Sequence, residues 1–355
     1  MSENRLFGVI IAGGRGTRFW PLSRKARPKH LLNFLGETTL LRQTAERVLP
    51  LTGAGRLFVV TAESQADEVG KILTDIPPQN ILAEPAGKNT APAIALAAAH
   101  IIDEDPNGIM IVLPSDHIIE PRDKFMADVE EAARLADTRR ALAIFGIRPT
   151  RPETGYGYIE VGQKLDGHAF GVASFKEKPN LKKAKDYLAT GRYLWNSGMF
   201  VFRADVYMEK VRRHMPKLFT AWERYAKGNR GAEDLNEYYA VAEAISIDHG
   251  IMEKLEGEAA VIAAGFNWSD IGSWDATDDL WAADEKGNRA RGGDLFPMAA
   301  EGNTVVSKKL VALLGVENLI VVETDDAILI TKKEKAQEIK NLVQEMERRG
   351  LHRYL

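Results

Sequence analysis

A glycine-rich, strongly cationic segment follows the first apolar run of the chain. Residues 12–32 read AGGRGTRFWPLSRKARPKHLL. Glycines let backbone N–H groups approach phosphate oxygens, and arginine and lysine neutralise phosphate charge. The segment therefore predicts a polyphosphate-binding loop, with a glycine turn beside a solvated basic loop as the alternative. Its glycines and cations are Gly13, Gly14, Gly16, Arg15, Arg18, Arg24, Arg27 and Lys29.

Two familiar nucleotide-binding motifs do not fit the spacing. A dinucleotide fingerprint that starts at Gly14 requires glycine at position 19, where the chain has Phe19. A P-loop that ends at residues 87 and 88 requires glycine at 82 and Ser or Thr at 89, but the chain has Leu82 and Asn89. These mismatches argue against an NAD-dependent oxidoreductase and against a P-loop enzyme.

Carboxylates follow later apolar runs. Asp116 lies in LPSDHII, just after the run at 109–113. The carboxyl ends of parallel strands are where open α/β sheets bind ligands, and Mg²⁺ prefers oxygen ligands, so Asp116 is a candidate metal ligand. A helix cap is the alternative. Asp270 in NWSDIGSWD is a candidate second ligand, and Asp275 is its nearer rival.

Three more segments carry polar groups suited to binding. FKEKPN places Glu177 beside Lys178, a hydroxyl acceptor next to a phosphate clamp, and WNSGMF offers Asn196 and Ser197 before a glycine. EPAGKNTAPAIA, residues 84–95, places polar groups at a helix start, where they could read a base edge. The alternatives are turns with surface ion pairs and a well-capped helix.

The composition excludes several classes of protein. The 355 residues are 45% hydrophobic and 27% charged, which excludes disordered and fibrous chains. A net charge of −3 gives no reason to expect bulk nucleic acid or membrane as a partner. The chain has no cysteine, so thiolate chemistry is excluded, and its seven histidines form no metal-binding pattern. The sequence shows neither a signal segment nor a membrane span, and we expect a cytoplasmic protein.

The elements that must position these groups alternate between strand and helix in the first half of the chain. Strand-like runs at 6–12, 57–61, 109–113 and 141–147 alternate with helical patterns at 39–48, 65–73, 90–102 and 125–136. This order predicts an α/β fold with a doubly wound, mixed, mainly parallel sheet. Strands at 154–162, 169–176 and 199–202 and helices at 181–190, 204–215 and 232–244 follow.

The end of the chain has a different pattern. Short apolar runs separated by Gly, Asn or Asp fill residues 301–331, and a charged helix is expected at 332–349. Residues 284–293 are the expected linker. The pattern therefore predicts a catalytic domain at 1–283, followed at 284–355 by the linker, a small β-rich domain and a C-terminal helix.

Taken in order, these motifs resemble the nucleoside-diphosphate-sugar pyrophosphorylases. GGRGTRFWPLS, RPKHLL, EPAGKNTAPA, PSDH, FKEKP, WNSGMF and NWSDIGSWD cover roughly residues 6–275. EPAGKNTAPA is similar to the guanylyltransferase branch. The resemblance implies transfer of a guanylyl group from GTP to mannose 1-phosphate, which yields GDP-mannose and pyrophosphate with Mg²⁺. It also implies a left-handed β-helix near the C-terminus and a homodimer.

The resemblance also implies roles for individual residues. The metal ligands would be Asp116 and Asp270, and Arg18, Lys29, Asp116 and Lys178 would be catalytic. The nucleotide would contact Gly13, Gly14, Arg15, Gly16, Glu84, Gly87, Asn89 and Thr90. The sugar phosphate would contact Gly157, Glu177, Lys178 and Asn196.

Other functions stay open at this point. The same chemistry could use another sugar 1-phosphate or nucleotide, and a non-catalytic nucleotide-sugar-binding regulatory subunit could share the scaffold. Longer bacterial relatives carry an isomerase domain after the β-rich segment, and this chain ends at Leu355 without one. We therefore expect no isomerase activity.

Overall fold

The computed structural model describes residues 5–34 and 36–355; the first four residues of the predicted catalytic domain and residue 35 lie outside it. The described chain forms two compact units. The first contains residues 5–13, 42–115 and 119–268, and the second contains 14–34, 36–41, 116–118 and 269–355. The second unit is thus assembled from separate stretches of sequence. The predicted boundary between residues 283 and 284 stays a prediction.

Strands and α-helices alternate through the first half of the chain. The strands are β1 Leu6–Ala12, β2 Leu57–Ala62, β3 Ile81–Glu84, β4 Ile109–Pro114, β5 Ile118–Glu120, β6 Leu142–Ile147, β7 Tyr158–Asp166, β8 Ala169–Lys176, β9 Tyr193–Arg203, β10 Ala259–Ala263, β11 Asn267–Ser269, β12 Arg289–Gly292, β13 Leu295–Met298, β14 Thr304–Ser307, β15 Val311–Leu314, β16 Leu319–Glu323 and β17 Ile328–Lys332. The α-helices are α1 Leu40–Thr52, α2 Ala66–Ile72, α3 Thr90–Glu104, α4 Arg122–Arg139, α5 Leu181–Thr190, α6 Ala204–His214, α7 Pro216–Lys227, α8 Ala232–Val241, α9 Ile247–Gly250 and α10 Ile339–Arg348.

A nine-stranded mixed sheet is the centre of the first unit. Its strand order is β3-β2-β1-β4-β9-β6-β10-β8-β7. The pairs β1–β2, β1–β4, β2–β3 and β6–β10 are parallel. Strand β9 runs antiparallel to both β4 and β6. Strands β1, β2 and β4 are almost wholly apolar because helices cover both faces of such a sheet.

Several elements of this unit differ from the sequence prediction. Strand β9 is longer than the predicted 199–202: it begins at Tyr193, and the buried polar residues Asn196 and Ser197 interrupt its apolar pattern. Helix α7 and strand β10 were not predicted. Helix α7 has Pro216 at its first position and buries Leu218, Ala221 and Tyr225, whose spacing of three and four residues places them on one helix face.

The second unit contains a stack of parallel strands. Strands β12, β14 and β16 pair in parallel, β13 pairs in parallel with β15, and β17 closes the first sheet antiparallel to β16. Strand β12 lies inside the expected linker, so the stack begins about one coil earlier than predicted. The predicted fold class, a mixed α/β sheet with a small C-terminal β-helix, is confirmed. The handedness of the β-helix stays a prediction.

Asparagines line one turn of this stack. Asn288 and Asn303, fifteen positions apart in the sequence, are buried. The Asn303 Nδ2 donates to Asn288 Oδ1 at 2.9 Å, and Asn303 Oδ1 accepts from the backbone N–H of Leu319 at 2.9 Å. Side-chain amides therefore satisfy backbone groups that a turn leaves unpaired.

An apolar core joins distant parts of the second unit. Phe19 and Trp274 are buried with their ring centroids 5.2 Å apart, and they share a cluster with Ile320 and Ile339. Helix α10 begins later than the predicted residue 332, because residues 333–338 form a 3₁₀ segment. Within the described ranges, no helix is long and apolar enough to cross a membrane.

Candidate active site

The glycine-rich loop of the second unit closes around Lys29. Gly16 has φ of +61°, in the left-handed region, and a β-carbon there would collide with the Cβ of Lys29. The Ser23 hydroxyl donates to the Gly16 carbonyl at 2.7 Å. Glycine is therefore required at position 16, both for the backbone angle and for the approach of the lysine.

Lys29 connects the two predicted metal ligands. Its side chain is only 6% exposed, and its Nζ donates to Asp116 Oδ2 at 2.8 Å and to the backbone carbonyl of Asp270. Residues 116 and 270 are thus brought together by one ammonium group although they are 154 positions apart in the sequence. The sequence alone places Asp116 at a strand end but does not indicate this lysine bridge.

Positive charge keeps Asp116 ionised. Burial alone would raise the pKa of this carboxyl, but the charge of Lys29 and the neighbouring His117 and His30 outweigh the burial, so the pKa lies below its ordinary value. The side chain is still 30% exposed. An ionised, partly exposed carboxylate is a suitable ligand for a hard cation.

Arg18 adds an unpaired donor to the same unit. Its Nη1 donates to the carbonyl of Gly272 at 3.3 Å, while its buried Nε has no hydrogen-bond partner in the described structure. A buried guanidinium N–H without a partner costs free energy unless an acceptor binds it. An anion such as a phosphate would satisfy it.

The other loop cations have different surroundings. Arg24 is engaged within the unit, donating to the carbonyl of Pro21 at 2.6 Å, to Asp326 at 2.7 Å and to the carbonyl of Tyr354. This arginine therefore ties the loop to the C-terminal segment and is not available as a phosphate ligand. Arg15 and Arg27 are exposed, as are Gly13 and Gly14.

The carboxylates of Asp116 and Asp270 could supply only some of the ligands that a divalent cation needs. Among the residues that the structure describes, no group of three or more His, Cys, Asp or Glu side chains could hold a metal ion. The Asp270 carboxylate lies beside Gly272, where a β-carbon would be 3.4 Å from Oδ2. The rival Asp275 accepts a hydrogen bond from Ser273. Two carboxylates fit a Mg²⁺ ion whose other ligands are waters and substrate phosphates.

In the first unit, the predicted sugar-phosphate residues form one cluster. A β-carbon at Gly157 would lie 2.5 Å from Glu177 Oε2 and 3.2 Å from Asn196 Cβ. The backbone N–H of Asn196 donates to the Gly157 carbonyl at 2.8 Å. Lys178 Nζ donates to Glu177 Oε1 at 2.7 Å, and this lysine is 61% exposed. Glu177 Oε2 is buried without a hydrogen-bond partner in the described structure.

Sequence reasoning missed Asp248 in this cluster. Its Oδ1 accepts a hydrogen bond from Asn196 Nδ2 at 2.8 Å. Burial, and then the negative charge of Glu177, raises the pKa of Asp248 to about 6. The sequence ISIDHG indicates a helix start capped by Ser246, which the structure contains, but it does not indicate that the next acidic residue faces Asn196.

The predicted base-binding residues lie at the end of β3 and the start of α3. Glu84 is 6% exposed and accepts a hydrogen bond from the Tyr239 hydroxyl at 2.7 Å. Burial raises the pKa of Glu84 to about 7 despite that bond. A β-carbon at Gly13 would lie 3.7 Å from Glu84 Oε2, so this carboxylate is next to the end of β1. Tyr239 was also missed from sequence.

The start of α3 is fastened to the segment before α9. Asn89, at φ of +68°, caps the helix by accepting from the backbone N–H of Thr90. The Thr90 hydroxyl accepts from the backbone N–H of Ile247 at 3.0 Å, and the backbones of Lys88 and Ile245 are also hydrogen-bonded. Gly87 is exposed, with open space where a β-carbon would be.

The fold and these residues define a class of protein. The strands of the mixed α/β sheet are followed by a glycine- and cation-rich loop, an ionised aspartate and a helix start. Open α/β sheets bind nucleotides beyond such strand ends. Residues 7–287 match the nucleotidyl transferase family, and residues 301–346 match the MannoseP isomerase/GMP-like beta-helix domain. The chain belongs to the nucleotidyl transferase family.

Individual relatives resemble the whole described chain. It is 38% identical over 349 residues to the xanthan biosynthesis protein XanB of Xanthomonas campestris pv. campestris, covering 96% of this chain and 73% of the relative. It is 38% identical over 351 residues to a mannose-1-phosphate guanylyltransferase of Salmonella muenchen, with the same coverage. A crystal structure described as mannose-1-phosphate geranyltransferase from Thermus thermophilus is 34% identical, with a TM-score of 0.87 over 97% of this chain and 99% of that one.

Proposed function

We propose that this protein is a mannose-1-phosphate guanylyltransferase that converts mannose 1-phosphate and GTP to GDP-mannose and pyrophosphate. The observation that carries the proposal is the Lys29 ammonium, bound to Asp116 and to the backbone of Asp270 behind a loop that requires glycine at position 16. Such a group of cation, carboxylates and glycine-rich backbone suits a metal-bound triphosphate. The activity named for the Salmonella relative supports the choice of substrates.

The reaction requires no nucleophilic side chain. A phosphate monoester has a second pKa of about 6, so its oxygen is largely anionic at neutral pH and can attack the α-phosphorus of GTP directly. The remaining barrier is to bring two anions together and to stabilise charge in the transition state. Lys29 and Arg18 have the charge for this task, and Gly13, Gly14, Arg15 and Gly16 complete the proposed triphosphate loop.

A magnesium ion is the proposed cofactor, held by Asp116 and Asp270. When bound, it supplies positive charge to the phosphate oxygens during nucleotidyl transfer. The contribution of the chain is to keep both carboxylates in place, and the contact of Lys29 with each of residues 116 and 270 supports that role.

The first unit supplies the proposed base and sugar contacts. Glu84, Gly87, Asn89 and Thr90 are proposed to surround guanine. Gly157, Glu177 and Asn196 are proposed to bind the sugar, with Lys178 on its phosphate. The high exposure of Lys178 and the unpartnered Glu177 Oε2 support these roles, because both have capacity left for a ligand.

The first experiment replaces Lys29 with methionine. The side-chain volume is nearly retained, but the charge opposite the phosphates is lost, so we expect kcat to fall by about 10²- to 10³-fold. The measurement is pyrophosphate release at saturating GTP, mannose 1-phosphate and Mg²⁺. Lys25→Met is the matched control, because Lys25 lies in the same loop but is exposed and paired with Glu347. Near wild-type turnover of Lys29→Met would refute the assigned role.

Substrate choice needs its own measurement. Pyrophosphate release with four nucleoside triphosphates and several sugar 1-phosphates should show preference for GTP with mannose 1-phosphate. Preference for another pair would support the same nucleotidyl transfer reaction but with different substrates. A protein that binds GDP-mannose but releases no pyrophosphate from any pair would instead be a regulatory subunit.

We further propose a cytoplasmic homodimer. An exposed apolar face on strands β13 and β15 supports self-association, because exposed apolar patches of this kind mark interaction surfaces. The side chains of this face are Phe296, Met298, Leu310 and Leu314, which are 55–67% exposed. Cell fractionation tests the location, and the mass in solution tests the dimer.

A further inference from the structure

Two side-chain hydrogen bonds hold the carboxamide of Asn196 in one orientation, and a third hydrogen bond fixes its backbone. Its Oδ1 accepts from the backbone N–H of Gly198 at 2.9 Å, its Nδ2 donates to Asp248 Oδ1 at 2.8 Å, and its own backbone N–H donates to Gly157 at 2.8 Å. Because a donor faces one end of the amide and an acceptor the other, a flipped amide would lose both side-chain bonds. Asp248 and the backbone N–H of Gly198 therefore together determine where the NH₂ group points.

This orientation leaves one donor and one acceptor unused. A primary amide nitrogen has two hydrogens, and Asp248 takes one of them. Next to the same face of Gly157, Glu177 Oε2 is buried and has no partner in the described structure. A hydroxyl group can donate to a carboxylate and accept from an amide at the same time. The two unused groups match the hydroxyls of a sugar ring.

We propose that Asp248 is a positioning residue of the sugar-phosphate site, which acts by fixing Asn196 so that its second N–H meets a sugar hydroxyl. The inference rests on the proposed function and adds to it a residue that lies outside the recognised motifs. Asp248 itself does not touch the sugar in this proposal. Its effect passes through the carboxamide.

The segment that carries Asp248 is rigidly attached. Ser246 caps the short helix α9, and the backbone N–H of Ile247 donates to the Thr90 hydroxyl at 3.0 Å. The backbone N–H of Ala91 donates to the carbonyl of Ile245 at 3.1 Å. A carboxylate on a segment held by such bonds loses less conformational freedom when it binds its partner.

The negative charge of Asp248 is poorly compensated by its neighbours. A variant that keeps the hydrogen bond but lacks the charge can therefore distinguish a hydrogen-bonding role of this residue from an electrostatic role. Burial raises the pKa of Asp248 most, the negative charge of Glu177 raises it further, and the charge of Lys178 opposes both. An asparagine at position 248 could present its oxygen to Asn196 and its NH₂ group towards Glu177. The conservative variant therefore keeps the acceptor and removes the repulsion.

The test compares Asp248→Ala with Asp248→Asn. We expect Asp248→Ala to raise KM for mannose 1-phosphate about tenfold, while KM for GTP stays within about twofold, because a single hydrogen bond to the sugar is lost. Asp248→Asn should restore KM for mannose 1-phosphate to within about threefold of wild type. A merely structural role would move both KM values or the melting temperature together.

Asp205→Ala is the matched control. Asp205 also lies in the first turn of a helix and accepts side-chain hydrogen bonds, but it is at the opposite end of β9 and pairs with Arg203 and Arg140. We expect its kinetics to match wild type. An unchanged KM for mannose 1-phosphate in Asp248→Ala, or an Asp248→Asn variant as impaired as the alanine, would overturn the inference.

A crystal structure of Asp248→Ala tests the same point without activity. The Asn196 carboxamide should rotate or become disordered, whereas an unchanged amide would refute the positioning role even if catalysis falls. Wild-type protein that releases no pyrophosphate from GTP and mannose 1-phosphate would refute the proposed function instead. The two failures are therefore distinguishable.

Discussion

Three carboxyl groups show how neighbours decide the charge of a residue. Burial raises the pKa of Glu84 and of Asp248, and in both cases the opposing hydrogen bonds and charges are too weak to cancel it. Asp116 is also subject to burial, yet the cationic Lys29 holds its pKa below the ordinary value. The carboxyl proposed for metal binding is thus the one kept charged, and the one proposed for the base is near its titration point at neutral pH.

Glu84 should make stability depend on pH. Its pKa is about 7 in the folded chain and about 4.5 as the ordinary value. Between these values the folded state holds a proton that the unfolded state has lost, so the free energy of unfolding should fall as pH rises from about 4.5 to 7. The loss is at most about 3 kcal/mol. Glu84→Gln should remove this part of the pH dependence, as measured by urea denaturation at several pH values.

The Glu84 experiment has a control on the surface. Glu68 is exposed and paired with Lys71, so Glu68→Gln should keep the wild-type pH dependence. Asp248 titrates in the same window in every variant and cancels in the comparison. Parallel curves for wild type and Glu84→Gln would contradict the assigned pKa.

At the scale of elements, the turns of the β-helix are marked by buried asparagines and not by an apolar sequence pattern. Asn303 is fully buried and bonds to Asn288 Oδ1, the carbonyl of Val316 and the backbone N–H of Leu319. Gly287 and Gly302, each just before one of these asparagines, have φ of +77° and +66°. The repeated Gly-Asn pair marks the turns of two successive coils.

Removing one of these side chains should destabilise the second unit. Asn303→Ala leaves buried backbone groups without partners, which we expect to lower the free energy of unfolding by at least about 2 kcal/mol. Hydrogen exchange measured by mass spectrometry should show faster exchange across residues 289–323. Asn33→Ala is the control, because Asn33 is exposed and makes one hydrogen bond, to the carbonyl of Glu37. Equal exchange in both variants would contradict the role of the ladder.

Local patterns predicted the elements that bury continuous apolar runs. Strands β1 and β8 and helix α5 have the predicted bounds, because their apolar spacing and caps are local properties of the sequence. The Gly-Asn repeat was not recognised, since a period of fifteen or sixteen residues is visible only when coils are aligned. The antiparallel position of β9 within the sheet depends on tertiary pairing, which apolar periodicity does not encode.

The site residues divide in the same way, into those that local motifs indicate and those that depend on long-range contacts. Motifs indicated Lys29, Asp116 and Glu177 because their residue types and strand-end positions are local. Asp248 and Tyr239 act through partners 52 and 155 positions away in the sequence, and neither lies in a glycine-rich or cationic segment. The bond between Lys29 and the backbone of Asp270 likewise depends on a long-range approach.

At the scale of the whole molecule, the apolar face of β13 and β15 makes a prediction about assembly. In the register of these strands, Phe296 is opposite Ala312 and Met298 is opposite Leu314, so their exposed side chains share one face. We expect light scattering to give the mass of a dimer for the wild type and a monomer for Leu314→Lys, because a buried lysine without a partner is unfavourable.

A lysine on a different sheet tests whether the effect is specific. Ile330 on β17 is 66% exposed, close to the 67% of Leu314, but it belongs to the sheet of β12, β14 and β16. Ile330→Lys should leave the dimer intact. A monomeric wild type, or a Leu314→Lys variant that stays dimeric, would refute this face as the interface.

The interrupted sequence of the second unit limits how the protein can be recombined. Phe19 from the glycine-rich loop and Trp274 share one core with Ile320 and Ile339 from the C-terminal segment. A chimera that takes only the residues from 284 onward from a relative would keep every proposed catalytic side chain but surround Phe19 with foreign neighbours. To preserve the shape of the loop, the exchange would have to include residues 14–41 and 269–283 as well.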